Sequence, residues 1–184
     1  AAAMRCNARG MKYLDHGKPA LGILQLKKAT DYNPNRADYH TDLALAMDAF
    51  PDAACEVFGC ETAELFAMLR SARLRARKLE CLDVELAVAY AQLLGRASEF
   101  GVEPDWDEAL AAWKHCLVLL GNEPPSEMRF PRRGLRASVL LDIGRIERVR
   151  DRPETAIQYF EAALELLPDS VATRNLLRET AQEC

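Results

Sequence analysis

The strongest constraint on this fold is a pair of matched segments near opposite ends of the chain. They are GMKYLDHGKPALGILQLKKATDYNP, Gly10 to Pro34, and GRIERVRDRPETAIQYFEAALELLP, Gly144 to Pro168. Gly10, Pro19 and Pro34 recur as Gly144, Pro153 and Pro168, each 134 positions later. Between the prolines, Gly22, Leu26 and Ala29 match Ala156, Phe160 and Ala163. Such units must stack, because one alone cannot bury its apolar face.

Each landmark has a physical reason. Pro153 suits the first turn of a helix, where its missing N–H is no loss and its φ is already helical. Asp151 is expected to cap that helix, with Glu154 completing a capping box. Ala156, Ile157, Phe160, Ala163, Leu164 and Leu167 then recur at helical spacing, and Pro168 ends the run. The small residues Gly144 and Ala156 let two antiparallel helices approach closely, with Phe160 beside them. Glycine and proline number only nine each among 184 residues, and Ala, Leu, Arg and Glu dominate. That balance predicts an all-α protein. A net charge of −4 argues against a general nucleic-acid binder, so none is expected as a partner. No run of eighteen apolar residues occurs, so no helix is expected to span a bilayer.

The pattern resembles the tetratricopeptide repeat family. A 34-residue unit starting at Ala137 places Leu140, Ile143, Gly144, Ala156, Phe160, Ala163 and Pro168 at the family's positions, with Glu147 where an aromatic is usual. A unit starting at Ala3 places Gly10, Tyr13, Gly22, Leu26, Ala29 and Pro34. Between them, Leu94-Gly95 with Ala109, Trp113 and Cys116 suits a third copy, and Leu65, Leu69 and Ala72 suit the second helix of another. The resemblance implies a single domain over 1–184: a right-handed superhelical solenoid of antiparallel helix pairs. Its four units would cover about 3–36, 37–79, 82–120 and 132–168, with a capping helix at 170–182. Nine helices are expected, over 4–15, 19–32, 36–49, 61–79, 82–99, 106–120, 132–150, 153–167 and 170–182.

No P-loop, GxSxG, HExxH or Gly-rich dinucleotide turn is present, so no catalytic residue, cofactor or metal site is expected. A site from Cys81, His115 and Cys116 lacks the close-spaced ligand pairs usual for zinc. The basic runs 70–78 and 129–136 read as solvated faces or loops. The resemblance implies a non-enzymatic protein–protein interaction module, a scaffold or assembly subunit of a larger complex. The alternative is a periplasmic or secretion-linked chaperone holding an extended client peptide. Peripheral membrane association stays open. By repeat geometry the first helix of each pair lines a concave face, which nominates Tyr13, Tyr39, Asp42, Met47, Gln92 and Arg96 as partner contacts. The family's groove for chaperone C-terminal carboxylates uses Lys, Asn and Arg, and the matching positions Asn7, Met11 and Asp42 do not form it.

PDAACEVFGCE, Pro51 to Glu61, falls as an insertion between the two helices of the second unit, where it is expected to project. In a continuous helix Cys55 and Cys60 would lie about 140° apart around the axis and about 7.5 Å apart along it. A turn at Val57-Phe58-Gly59 would bring the sulfurs together instead. A Cys55–Cys60 disulfide, a metal site and unpaired thiols all remain open here. Six cysteines and this loop lean towards a bacterial periplasm or cell envelope, with the cytoplasm as the alternative.

Overall fold

The computed structural model describes residues 1–121 and 130–183. Among them are ten α-helices and no strand. In chain order they are α1 Ala2–Asp15, α2 Pro19–Tyr32, α3 Ala37–Ala49, α4 Pro51–Phe58, α5 Thr62–Leu79, α6 Val84–Gly95, α7 Trp106–Leu120, α8 Phe130–Val149, α9 Pro153–Leu166 and α10 Val171–Ala181. A single 3-10 turn, Ala97–Phe100, follows α6. The helices form two compact units, Ala1–Pro104 and Asp105–Cys184, and the break falls inside the stretch 82–120 read as the third repeat.

The first unit opens with the hairpin α1–α2. Its two glycines face each other: a methyl on Gly10 would sit 2.8 Å from Leu26 Cγ and 3.1 Å from the Gly22 carbonyl. Such contacts require bare backbone at both positions, which lets the helices touch. Pro19 and Pro153 both stand in the first turn of their helices. The turn uses Gly17 at φ 66°, and Lys18 N–H donates to Tyr13 O at 2.9 Å across it. This six-to-one bond is the Schellman closure of a helix end.

The second hairpin, α8–α9, repeats that turn. Asp151 takes the left-handed conformation at φ 59°, and Arg152 N–H donates to Glu147 O at 3.0 Å. Asp151 therefore ends α8 and does not cap α9, whose preceding residue, Arg152, makes no side-chain cap. The expected capping box is absent because the chain needs a left-handed residue there first. Ala156 and Phe160 are fully buried. A methyl on Gly144 would lie 2.7 Å from Phe160 Cδ1, so the close approach read from the sequence is real.

The insertion is the main departure from expectation. It forms α4, with Pro51 in its first turn and Gly59 at φ 62° as its stop. Ala54 is fully buried, and Ala53, Cys55, Val57, Phe58 and Cys60 pack against the core of the first unit. The segment is an amphipathic helix laid on that core, and it does not project. Ile23, Leu26, Met47, Leu65, Leu69 and Leu93 make the centre of this core, and Phe66 stacks at a tilt on Phe100 with ring centres 5.5 Å apart.

In the second unit α8 starts at Phe130, two residues ahead of the expected helix, and the arginines of the run 129–136 that read as solvated make contacts; Arg129 lies outside the described residues. Arg132 and Arg136 donate to the carbonyls of Leu120 and Gly121 at the end of α7, at 2.8 and 2.6 Å. Arg133 donates to Leu166 O near the end of α9. Cations belong at helix C-termini, where the unpaired carbonyls carry partial negative charge. On α10, Ser170 caps Thr173 N–H, and Thr173 and Thr180 face inward.

Candidate functional site

The six nominated contact residues all lie in the first unit, and the fold treats them differently. Met47 is 1% exposed and Tyr39 7%, so both are core side chains and offer no surface to a partner. Repeat position alone could not show this, because the first helices present a core face as well as an outer one. Asp42 is half-buried and accepts from Asn7 Nδ2 at 2.9 Å, which ties α1 to α3. Arg96 belongs to an ionic knot. Its Nη1 donates to Asp48 at 3.1 Å and its Nε to Glu99 at 2.8 Å. Arg73 Nη2 donates to the same Asp48 carboxylate at 2.8 Å. Gln92 is exposed and Tyr13 half-exposed.

The basic run 70–78 is solvated at Arg70, Arg75 and Lys78 and half-buried at Arg73 and Arg77, and its arginines also make contacts within the unit. Arg75 donates to Asn35 Oδ1 at 2.8 Å and to Pro34 O at 3.4 Å, and the Arg77 guanidinium lies 5.2 Å from the Tyr90 ring centre. These arginines fasten neighbouring helices together.

Two concavities of the first unit lie beside nominated residues, Met47 at the base of the larger and Tyr13 on the wall of the smaller. The larger, of about 710 Å³, lies between α2, α3 and α5. Leu43, Met47, Met68 and Ala72 give it an apolar lining, and Lys27, His40 and Arg75 give it a polar one. The smaller, of about 270 Å³, is lined by Arg9, Lys12, Tyr13, His16 and Lys18 at the α1–α2 turn. The larger joins residues from three helices, so no local sequence signal marks it.

Cys55 and Cys60 are unbonded thiols in the structure. Gly59 turns the chain so that Cys60 N–H donates to Cys55 O at 3.2 Å. The two side chains meet over this helix end: burial pushes the Cys60 thiol up, and a hydrogen bond with Cys55 and the nearby Glu64 carboxylate push it further. Cys116 is buried with Sγ donating to Ala112 O, and Cys184 lies outside the described residues. Among the described residues no three His, Cys, Asp or Glu side chains converge as a metal site. None of the described helices is long and apolar enough to cross a membrane.

Solved structures share this arrangement of helices. The Pseudomonas aeruginosa PilF structure aligns over 99% of this chain and 68% of its own, at 17% identity and a TM-score of 0.60. A MamA structure aligns over 92% and 81%, at 18% identity and 0.62. The MamA RS-1 double mutant aligns over 99% and 84%, at 13% identity and 0.68. The fold is tetratricopeptide-like. No protein-family model matches the chain, and no curated protein does. The tetratricopeptide-like frame accounts for the glycine-to-glycine contact of α1 and α2 and for the Gly144–Phe160 contact. It also accounts for the surfaces left over, since a stacked helix pair turns one face to its neighbours and one outward.

Proposed function

We propose that the chain is a non-enzymatic protein–protein interaction module, acting as a scaffold or assembly subunit. The observation that carries this reading is the groove between α2, α3 and α5. Its volume of about 710 Å³ suits a short peptide segment. Its lining has the composition such a segment needs: Leu43, Met68 and Ala72 for apolar side chains, and Lys27, His40 and Arg75 for polar groups. Among the described residues Arg75 donates to the neutral acceptors Asn35 Oδ1 and Pro34 O and has no ion pair, whereas Lys27 pairs with Asp31 on the same groove wall. Tyr13 and Gln92 add exposed surface on the first helices of their pairs. The absence of any recognisable catalytic motif in the sequence is consistent with this reading.

Met68, half-buried on the groove wall, lends support to the second reading, a secretion-linked chaperone. Methionine adapts its shape to different apolar side chains, which suits a holder of varied clients. The isolated chain would then bind apolar peptides, whereas a permanent subunit would be unstable without its complex.

The test is recovery of partners with affinity-tagged full chain from its native cells. Ala67→Glu with Ser71→Glu places two charges on the groove wall at exposed positions. Loss of the recovered partner, with an unchanged helical circular dichroism spectrum, supports the groove. Unchanged recovery counts against it, and a paired Gln92→Ala variant then asks whether the first-helix face carries the contact.

A further inference from the structure

The 134-residue repeat extends into the turns, and there the two copies differ in charge. Tyr13 aligns with Glu147, His16 with Arg150 and Lys18 with Arg152. Both turns close with the same backbone bond, Lys18 N–H to Tyr13 O and Arg152 N–H to Glu147 O. Side chains at matched positions therefore leave equivalent backbones.

In the C-terminal copy the cations have a carboxylate. Glu147 is 2% exposed, with Oε2 lying 3.7 Å from Arg150 Nη1 and 3.8 Å from Arg152 Nη1. Lys114 Nζ is 4.0 Å from Oε1. The same negative charge, together with burial, pushes the neighbouring Tyr159 phenol up. A buried carboxylate is tolerable only where cations surround it.

In the N-terminal copy Tyr13 takes the carboxylate's position, His16 and Lys18 stand where Arg150 and Arg152 do, and Arg9 and Lys12 replace Ile143 and Ile146. Arg9, Lys12, His16 and Lys18 line the 270 Å³ concavity with Tyr13. His16 Nδ1 donates to Lys12 O at 2.7 Å, which leaves Nε2 for a ligand. Among the described residues none of Arg9, Lys12 and Lys18 has an ion pair; Asp15, the one carboxylate of α1, is exposed and pairs with none of them. Elsewhere in the first unit Arg73 and Arg96 pair with Asp48, and Arg36 with Asp38. Arg9, Lys12 and Lys18 share this concavity without such a partner among the described residues.

We propose that this concavity binds a carboxylate of an acidic peptide segment supplied by a protein partner. The internal copy picks the chemistry: a carboxylate faces Arg150 and Arg152, the residues matched to His16 and Lys18, and Arg9 and Lys12 add positive charge that the other copy lacks. A segment with adjacent Asp or Glu residues would set one carboxylate between Arg9 and Lys12 and another near Lys18, with Tyr13 as an apolar wall. The positions differ from Asn7, Met11 and Asp42, where the family's carboxylate groove would fall. The proposal rests on the chain being a protein-interaction module and adds the chemical class of the partner.

The experiment uses the full chain and a fluorescent peptide of six glutamates, with the all-glutamine peptide as its control, followed by anisotropy. Binding of the glutamate peptide alone is expected, weakening as salt rises. Lys12→Glu with Lys18→Glu is expected to weaken it about tenfold or more. The decisive variant is Tyr13→Glu, which installs the other copy's carboxylate: peptide binding should be lost while thermal stability holds. Equal binding of both peptides overturns the proposal, as does undiminished binding by Tyr13→Glu. Competition by millimolar inorganic phosphate as strong as by the peptide, or tighter capture on phosphatidylserine vesicles, also overturns it, in favour of a phosphate or lipid ligand. Partner recovery from cells separates the two readings: a Tyr13→Glu chain that keeps its partner removes this site and leaves the interaction module standing.

Discussion

Asp48 accepts a hydrogen bond from Arg73 at 2.8 Å, and both side chains are almost wholly out of solvent, at 16% and 12% exposure. The pair bridges α3 to α5, and Arg73 Nη1 continues to Ala89 O on α6 at 3.2 Å. Arg73 thus ties α3, α5 and α6 together. Asp48→Ala strands a sheltered guanidinium and should cost about 3 kcal/mol in urea unfolding. Arg96, more exposed on the same carboxylate, should cost under about 1 kcal/mol as Arg96→Ala. Asp48→Leu with Arg73→Met should recover much of the loss, since it removes both charges together.

Gly144 and Phe160 give a second test. Alanine normally favours a helix by about 1 kcal/mol over glycine. Here its methyl would meet the Phe160 ring, so Gly144→Ala should instead destabilise by about 1–3 kcal/mol. Adding Phe160→Leu should return part of that. A stabilised Gly144→Ala chain would refute the close contact.

Asp151 occupies the left-handed position that Gly17 fills in the other copy. Any Cβ is strained there, though aspartate tolerates it better than most. Asp151→Gly should raise stability by about 0.5–1 kcal/mol, and Asp151→Val should lower it. Thermal melts of both variants would check the sign.

Burial pushes the Asp142 carboxyl above its ordinary range, and Arg145, donating at 3.0 Å, offsets this only in part. A raised folded value means the native state holds the proton more tightly. Its contribution is therefore complete below the unfolded value, near pH 4, and is lost as pH rises through the raised value. Asp142→Asn should flatten this limb of the stability profile. Parallel curves for the two proteins would show that the carboxyl is not held up.

Cys55 and Cys60 meet across the Gly59 turn, so oxidation needs no unfolding of α4. Exposed to excess glutathione disulfide, the reduced chain should lose both thiols together, two electrons and two protons passing to the added disulfide. Cleavage after Glu56 separates the cysteines onto different peptides, and a non-reducing mass spectrum should find them joined. Two independent glutathione adducts would refute the pairing. The ring is small, so the added stability should stay below about 3 kcal/mol.

Most helices were legible because their signals are local. Pro19 and Pro153 mark starts, Pro34 and Pro168 follow ends, and the apolar stripe of α9 runs at helical spacing. The insertion was misread because Pro51 and Gly59 look like loop punctuation; they are the first turn and the stop of a short helix. Asp151 was read as a cap because its side chain fits that role, while its backbone is required elsewhere. Of the nominated contacts, Tyr39 and Met47 proved to be core, since periodicity shows that a residue is on a face but not which face meets another helix.

By itself the sequence determined the all-α class, the paired helices and the positions where two backbones must touch. Those follow from propensity and from a repeat that only glycine or alanine can satisfy at the contact. Tertiary structure decided which charges are cancelled and which stay open. Arg73 and Arg75, two residues apart in one basic run, end on a sheltered carboxylate and on neutral acceptors respectively. The reason is that an ion pair depends on distance between helices that lie far apart in the chain. Packing sets that distance, and no local pattern records it.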